Sequence, residues 1–171
     1  MDKIIFLLGC LIPVTVCGYT DFKTGYIYNK VTLPMILAGI CYSIYASQLK
    51  EALLGLALGF LILLICALMG GVGGGDVKLA AALGAWFGTD VLWVLLLGSF
   101  FCIIWGGYKL FKKGQLKKRA SVFFKGLFYR CIYGMKGALI LPKLPEEEPV
   151  PDDVIPYGTC LALASWIIFF V

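Results

Sequence analysis

Long apolar runs broken by short polar stretches fill most of this chain. The runs cover 4–19, 31–46, 52–69, 77–87, 91–108 and 155–171. Most are close to the roughly 20 residues that a helix needs to cross a bilayer, and far longer than a strand. The pattern therefore predicts an all-α, polytopic membrane bundle of about six transmembrane helices. The break at 20–30 reads as a short polar loop, with Tyr19, Tyr26 and Tyr28 suited to an interfacial aromatic belt. Pro34 falls in the first turn of the second run, where proline is tolerated. Residues 47–51 form a tight turn. In the third run Gly55 and Gly59 have the small-xxx-small spacing that lets helices pack closely. The run 77–87 is too short to cross unless Gly75 and Asp76 lie partly inside the bilayer. Gly88-Thr89-Asp90 then turns the chain.

Residues 109–153 break the pattern. Lysines and arginines interleave with Phe123, Phe124, Phe128, Tyr129, Ile132 and Tyr133, as in an amphipathic interfacial helix on an anionic leaflet. A tether to six spans favours lipid over nucleic acid as the partner of 109–136. Pro142, Pro145, Glu146 to Glu148, Pro149 and Pro151 follow as an acidic, proline-rich linker. With six spans, loops 20–30, 70–78 and 109–153 share one side. They carry Lys23, Lys30, Lys78 and ten basic residues from Lys109 to Lys143, against Lys3 and Lys50 opposite. That asymmetry puts the three loops in the cytoplasm and both termini outside. The first run lacks a small-x-small cleavage site and reads as a retained span. The whole chain, 1–171, is then one integral membrane domain.

Composition narrows the chemistry. The 171 residues are 61% apolar and 15% charged, with a mean hydropathy of +0.93. No histidine is present, which removes His-based triads and most zinc sites. The seven cysteines form no Cys-x-x-Cys pair and mostly lie within apolar runs, where they act as small hydrophobes. No metal or cofactor is expected.

The stretch 70–78 holds five glycines, Asp76 and Lys78. Each glycine costs a helix interior about 1 kcal/mol relative to alanine, but permits close backbone approach. A carboxylate at the membrane edge is costly enough to imply function. Its alternative is a flexible turn whose Asp caps the following helix. Under the predicted topology Asp21, ending the first run, lies on the same side at similar depth, and its alternative is a solvated loop acid. Two carboxyls brought together there would share one proton, one acting as general base toward water and the other as general acid. That chemistry needs no His, metal or serine.

Gly73-Gly74-Gly75-Asp76 matches the G-x-G-D signature of intramembrane aspartyl proteases, and residues 73–88 resemble type IV prepilin peptidases in particular. Asp21 with Ile27-Tyr28-Asn29 resembles that family's first catalytic Asp and downstream Ile-Pro-Asn, with Tyr28 replacing Pro. Ile155-Pro156-Tyr157-Gly158 resembles the opening of its last span. The resemblance implies a membrane aspartic endopeptidase cutting the basic leader from prepilin-like precursors, after a Gly, at the cytoplasmic face. Asp21 and Asp76 would be catalytic, with Gly73, Gly74, Gly75, Lys78 and Asn29 supporting. Lys78 either biases Asp76 or snorkels. Larger family members carry a zinc-binding, Cys-paired insert after the first span, linked to N-methylation. Here that loop is about ten residues without Cys, which implies the short, cleavage-only form. Two rivals remain. Ser121 and Lys125 have i, i+4 spacing for a Ser–Lys protease, but in a basic, wet segment. A small ion- or proton-coupled transporter would use the same two carboxylates, with the glycine stretch as a broken helix.

Overall fold

The computed structural model describes residues 2–68, 72–112 and 156–171, all helices and short connections with no strand among them. The chain opens with α1 (Asp2–Phe6), a π-helical stretch at Leu7–Leu11, and α2 (Ile12–Thr24). It continues through α3 (Asn29–Tyr45), α4 (Leu49–Leu68), α5 (Gly74–Phe87), a 3-10 turn at Gly88–Asp90 and α6 (Val91–Lys112). The last helix is α7 (Tyr157–Phe170). Among the described residues three stretches are long and apolar enough to cross a membrane, Lys3–Thr24, Leu49–Leu68 and Gly74–Lys109, and Tyr157–Phe170 is a shorter apolar helix. The rest of the basic stretch beyond Lys112, the acidic linker, Ser121 and Lys125 lie outside the described residues, as do Gly70 and Gly71.

The polar breaks are tighter than the hydropathy pattern predicts. Helix α2 runs on through the charged residues to Thr24, leaving only 25–28 as connection. Gly25 ends it in the left-handed region (φ 64°) and donates its N–H to the Asp21 carbonyl at 2.8 Å. Asp21 is therefore a helical residue in the last turn and not a loop acid. Helix α3 starts at Asn29, so Pro34 stands inside it, two residues deeper than the apolar run implied. Helix α5 begins three residues before the apolar run, taking in Gly74, Gly75 and Asp76.

Helix α5 is the hub. It packs along α4 and α3 and also touches α6 and α7. Every residue from Leu79 to Trp86 is buried, as expected of a helix that is apolar on all sides. Small side chains make this crowding feasible. A Cβ on Gly55 of α4 would run into the carbonyl oxygens of Gly84 and Gly88, and one on Gly59 into that of Ala80. Reciprocally, a Cβ on Gly84 would strike the Gly55 carbonyl. The small-xxx-small spacing of α4 thus forms a backbone-to-backbone seam with α5. On the other side, Trp86 donates its indole N–H to the Met35 carbonyl at 2.9 Å and stacks on Tyr42. Its ring fits over Gly39, and the π-helical turn brings Gly9 against its outer edge. Large apolar side chains on the outward faces, such as Leu54, Leu61, Ile65, Trp93, Leu96 and Ile103, are exposed, as lipid contact requires.

Gly84→Leu should cost at least the roughly 3 kcal/mol at the upper end of overpacking penalties. The check is thermal unfolding of the purified protein in detergent. Gly107→Ala, where an added Cβ meets nothing within 4 Å, should leave the same transition unchanged or slightly raised.

Candidate active site

Three helix ends meet at one end of the bundle: the C-terminus of α2 and the N-termini of α5 and α7. Along α2 the buried positions Val14, Cys17, Gly18 and Asp21 follow i, i+3, i+4, i+7. This one face carries Asp21 inward with the core, and the residue is only 6% exposed. Helix α7 packs on that face. A Cβ on Gly18 would stand 2.8 Å from the Ala162 methyl, and Thr159 Oγ1 donates to the Gly18 carbonyl at 2.8 Å. Further along, Trp166 Nε1 donates to Thr15 Oγ1 at 2.9 Å. The two helices are thereby locked in register.

That register aims the start of α7 at Asp21. The Thr159 N–H donates to Asp21 Oδ2 at 3.3 Å. Gly158 is so close that a Cβ on it would stand 2.9 Å from the same oxygen. A helix N-terminus offers unpaired N–H groups and a favourable dipole to an anion, and here the anion is a side chain of the same protein.

Asp76 arrives from α5. It occupies the third position of that helix and is 9% exposed. Its Oδ2 accepts the Gly73 N–H at 3.2 Å, while the Asp76 N–H donates to the Gly73 carbonyl at 3.1 Å. This is the acidic half of a capping box, closed on backbone because Gly73 has no side chain. The cap engages one oxygen only. Asp76 Oδ1 is buried with no partner within hydrogen-bond distance among the described residues. The carboxyls of Asp21 and Asp76 are close enough to couple electrostatically, and Gly158 lies against the Asp21 carboxyl. The arrangement brings two acids, backbone donors and an unsatisfied acceptor together at one point.

The other expected site residues divide. Gly73 supplies the amide for Asp76, and Gly75 packs on Ile27, whose Cβ would lie 3.1 Å from an added Cβ. An added Cβ on Gly74 would meet nothing within 4 Å among the described residues. Lys78 Nζ donates to Asn29 Oδ1 at 2.9 Å, which ties α5 to the start of α3 on an exposed surface. Gly158 and Thr159 were not among the expected site residues. Their signal is the helix start after Pro156, a set of free N–H groups that the sequence does not show to be facing an acid. Ile27, Tyr157 and Ser99 also border the site. Tyr157 OH and Ser99 Oγ pair at 3.0 Å and pin α6 to α7 beside it. Among the described residues no group of three or more potential ligands is placed to hold a metal ion.

Comparison with known proteins follows the same residues. The profile of the type IV leader peptidase family matches residues 5–107, which include both acids. A prepilin leader peptidase/N-methyltransferase of Xanthomonas campestris pv. campestris is 30% identical over 96% of this chain and 48% of its own length. Those of Burkholderia pseudomallei and Neisseria gonorrhoeae are 40% and 38% identical, over 42% and 56% of this chain and 26% and 35% of theirs. The chain thus spans about half or less of the length of these relatives. No solved structure matches. With the family profile covering more than half of the chain, this protein belongs to the type IV leader peptidase family.

Proposed function

We propose that this chain is a membrane-embedded aspartic endopeptidase that removes the basic leader of prepilin-like precursors, with Asp21 and Asp76 as its catalytic pair. The observation that carries the reading is that two buried carboxyls, Asp21 held by the start of α7 and Asp76 held by the start of α5, lie close enough to couple. The names of the relatives support the substrate class.

The chemistry follows from the arrangement. Two adjacent carboxyls hold one proton between them. The ionised member takes a proton from water as its oxygen attacks the scissile carbonyl carbon. The protonated member gives its proton to the carbonyl oxygen, forming a neutral gem-diol. When the C–N bond breaks, the dyad returns a proton to the departing nitrogen, and the hydroxyl proton passes back to the dyad. The Thr159 and Gly158 amides hold Asp21 throughout. Asp76 keeps Oδ1 free for water or substrate while Oδ2 is anchored on Gly73. The scissile bond has to leave helical geometry to reach the dyad, and exposed backbone at membrane depth is tolerated only where protein or water surrounds it. The meeting of three helix ends offers such a place.

The same reading assigns six spans, counting α3 and α7, with the dyad at the cytoplasmic face of the cell membrane. Lys23, Lys30, Lys78 and Lys109 lie toward the dyad end, and Lys3 and Lys50 toward the other, which supports the orientation. It also assigns the basic 109–136 stretch to an anionic leaflet. We assign cleavage and not N-methylation to these residues. No observation favours the transporter alternative.

Asp21→Asn and Asp76→Asn should each reduce cleavage to background while leaving the protein folded. The assay is leader release from a synthetic peptide with a basic leader, a junctional Gly and an apolar helix, in reconstituted membranes. Asp90→Asn, in the exposed turn at the opposite end, should cleave at the wild-type rate. Wild-type turnover by either dyad variant would overturn the proposal. In the same assay Gly158→Val should lose activity on the order of 100-fold, because its side chain displaces Asp21 by a fraction of a bond length or more.

A further inference from the structure

The connection between α2 and α3 is four residues long, and its side chains alternate. Tyr26 and Tyr28 are 51% and 46% exposed and lie ring to ring at 5.9 Å, while Ile27 between them is 6% exposed. Ile27 is turned inward, and it fills the gap between the two helix starts that hold the acids. An added Cβ on Gly75, the residue before Asp76, would lie 3.1 Å from Ile27 Cβ. An added Cβ on Gly158, which lies against the Asp21 carboxyl, would lie 2.8 Å from Ile27 Cδ1. One side chain therefore touches the α5 start with its base and the α7 start with its tip. Both contacts are made at a glycine, so the isoleucine meets backbone with nothing compressible between.

We propose that Ile27 is the positioning residue that sets the separation of the two carboxyls and keeps bulk water out from between the α5 and α7 starts that hold them. The inference rests on the dyad reading above. Asp21 is held by α7 through Thr159, and Asp76 by the first turn of α5 through Gly73. The spacing of α5 and α7 at this level is then the spacing of the acids. A β-branched side chain suits the task because its χ1 is restricted, so the reach from Cβ to Cδ1 behaves as a fixed strut. The loop supporting it is fixed as well, by the Gly25 bond to Asp21 and by the Val31 and Thr32 N–H groups on the Tyr28 carbonyl at 3.0 and 3.3 Å. A carboxyl pair works as a unit only within a narrow range of distance, and a displacement of about 1 Å can cost 100-fold in rate.

The test is steady-state cleavage of the leader peptide across pH by full-length protein in reconstituted membranes. Wild type, Ile27→Ala, Ile27→Leu and Tyr26→Ala would be run beside Asp21→Asn and Asp76→Asn, all below the melting temperature of the least stable. Ile27→Ala should lower kcat on the order of 10- to 100-fold with KM unchanged. It should also change the interval between the two limbs of the kcat–pH profile, because coupling between carboxyls depends on their distance. Ile27→Leu, with an arm of the same reach, should restore most of kcat, and Tyr26→Ala should match wild type. A wild-type kcat and profile in Ile27→Ala would overturn the inference. So would a loss of kcat with an unaltered profile, or the same change in Tyr26→Ala. Wild-type turnover in an Asp variant would instead remove the dyad reading, and the role of Ile27 with it.

Discussion

Two carboxyls with almost no access to solvent have to be compensated, and no basic side chain is among the buried residues described. The backbone does the compensating. Thr159 and Gly158 serve Asp21, and Gly73 serves Asp76. An amide dipole neutralises less charge than a guanidinium would, so the carboxyls are held in place without being locked into ion pairs. For a general acid–base pair that distinction matters, since a carboxylate paired with Arg or Lys is too stable as the anion to exchange protons near neutral pH. Both supports are helix N-termini, where N–H groups are unpaired in any case. The site exists because the bundle topology points two helix starts and one helix end at the same spot.

That topology depends on close helix contact. Helix α5 is caged by α3 and α4, with the Gly55–Gly84 seam on one side and the Trp86 slot on the other. Between apolar helices in an apolar solvent, burial supplies little net attraction, so shape fit and dispersion have to hold the bundle together. A glycine seam maximises backbone contact, and the Trp86 indole bond to a helix carbonyl adds a polar contact that lipid cannot replace. The seam and the slot lie toward the end of α5 remote from Asp76. They fix the tilt of α5, and the tilt delivers Asp76 to the site.

The sequence made the helices and both acids conspicuous, for a physical reason. Apolar runs reveal helices, and a charge at the border of such a run is conspicuous because burying it is expensive. The ends of helices were less legible. Polar residues from Thr20 to Thr24 look like loop, yet they continue α2 because tertiary packing on α7 holds Gly18 and Asp21 in the core face. Gly74 and Gly75 look like helix breakers, yet they form the first turn of α5, where half of the hydrogen bonds are absent anyway and the penalty is small. The role of Gly158 and Thr159 was invisible since it resides in backbone N–H groups, which every residue but proline possesses. Ile27 stood out only through the resemblance of Ile27-Tyr28-Asn29 to a family motif; an isoleucine flanked by tyrosines in a polar break does not itself show that it turns inward.

The two readings of Asp76, helix cap or functional acid, turn out not to compete. A cap uses one carboxylate oxygen, and Gly73 takes Oδ2. If capping were the whole role, the other oxygen would face water, as it does on most exposed helix starts. Here Oδ1 is buried, without a partner among the described residues, and the group couples to a second acid. Leaving a buried acceptor unsatisfied costs roughly 1–3 kcal/mol, an expense that a cap alone does not recover, since a cap contributes about 1 kcal/mol. Serine or asparagine at Gly73 would cap the helix without that cost. On the proposed function the cap is the anchor of the catalytic acid: it holds one oxygen and leaves the other to be presented to whatever enters between α5 and α7.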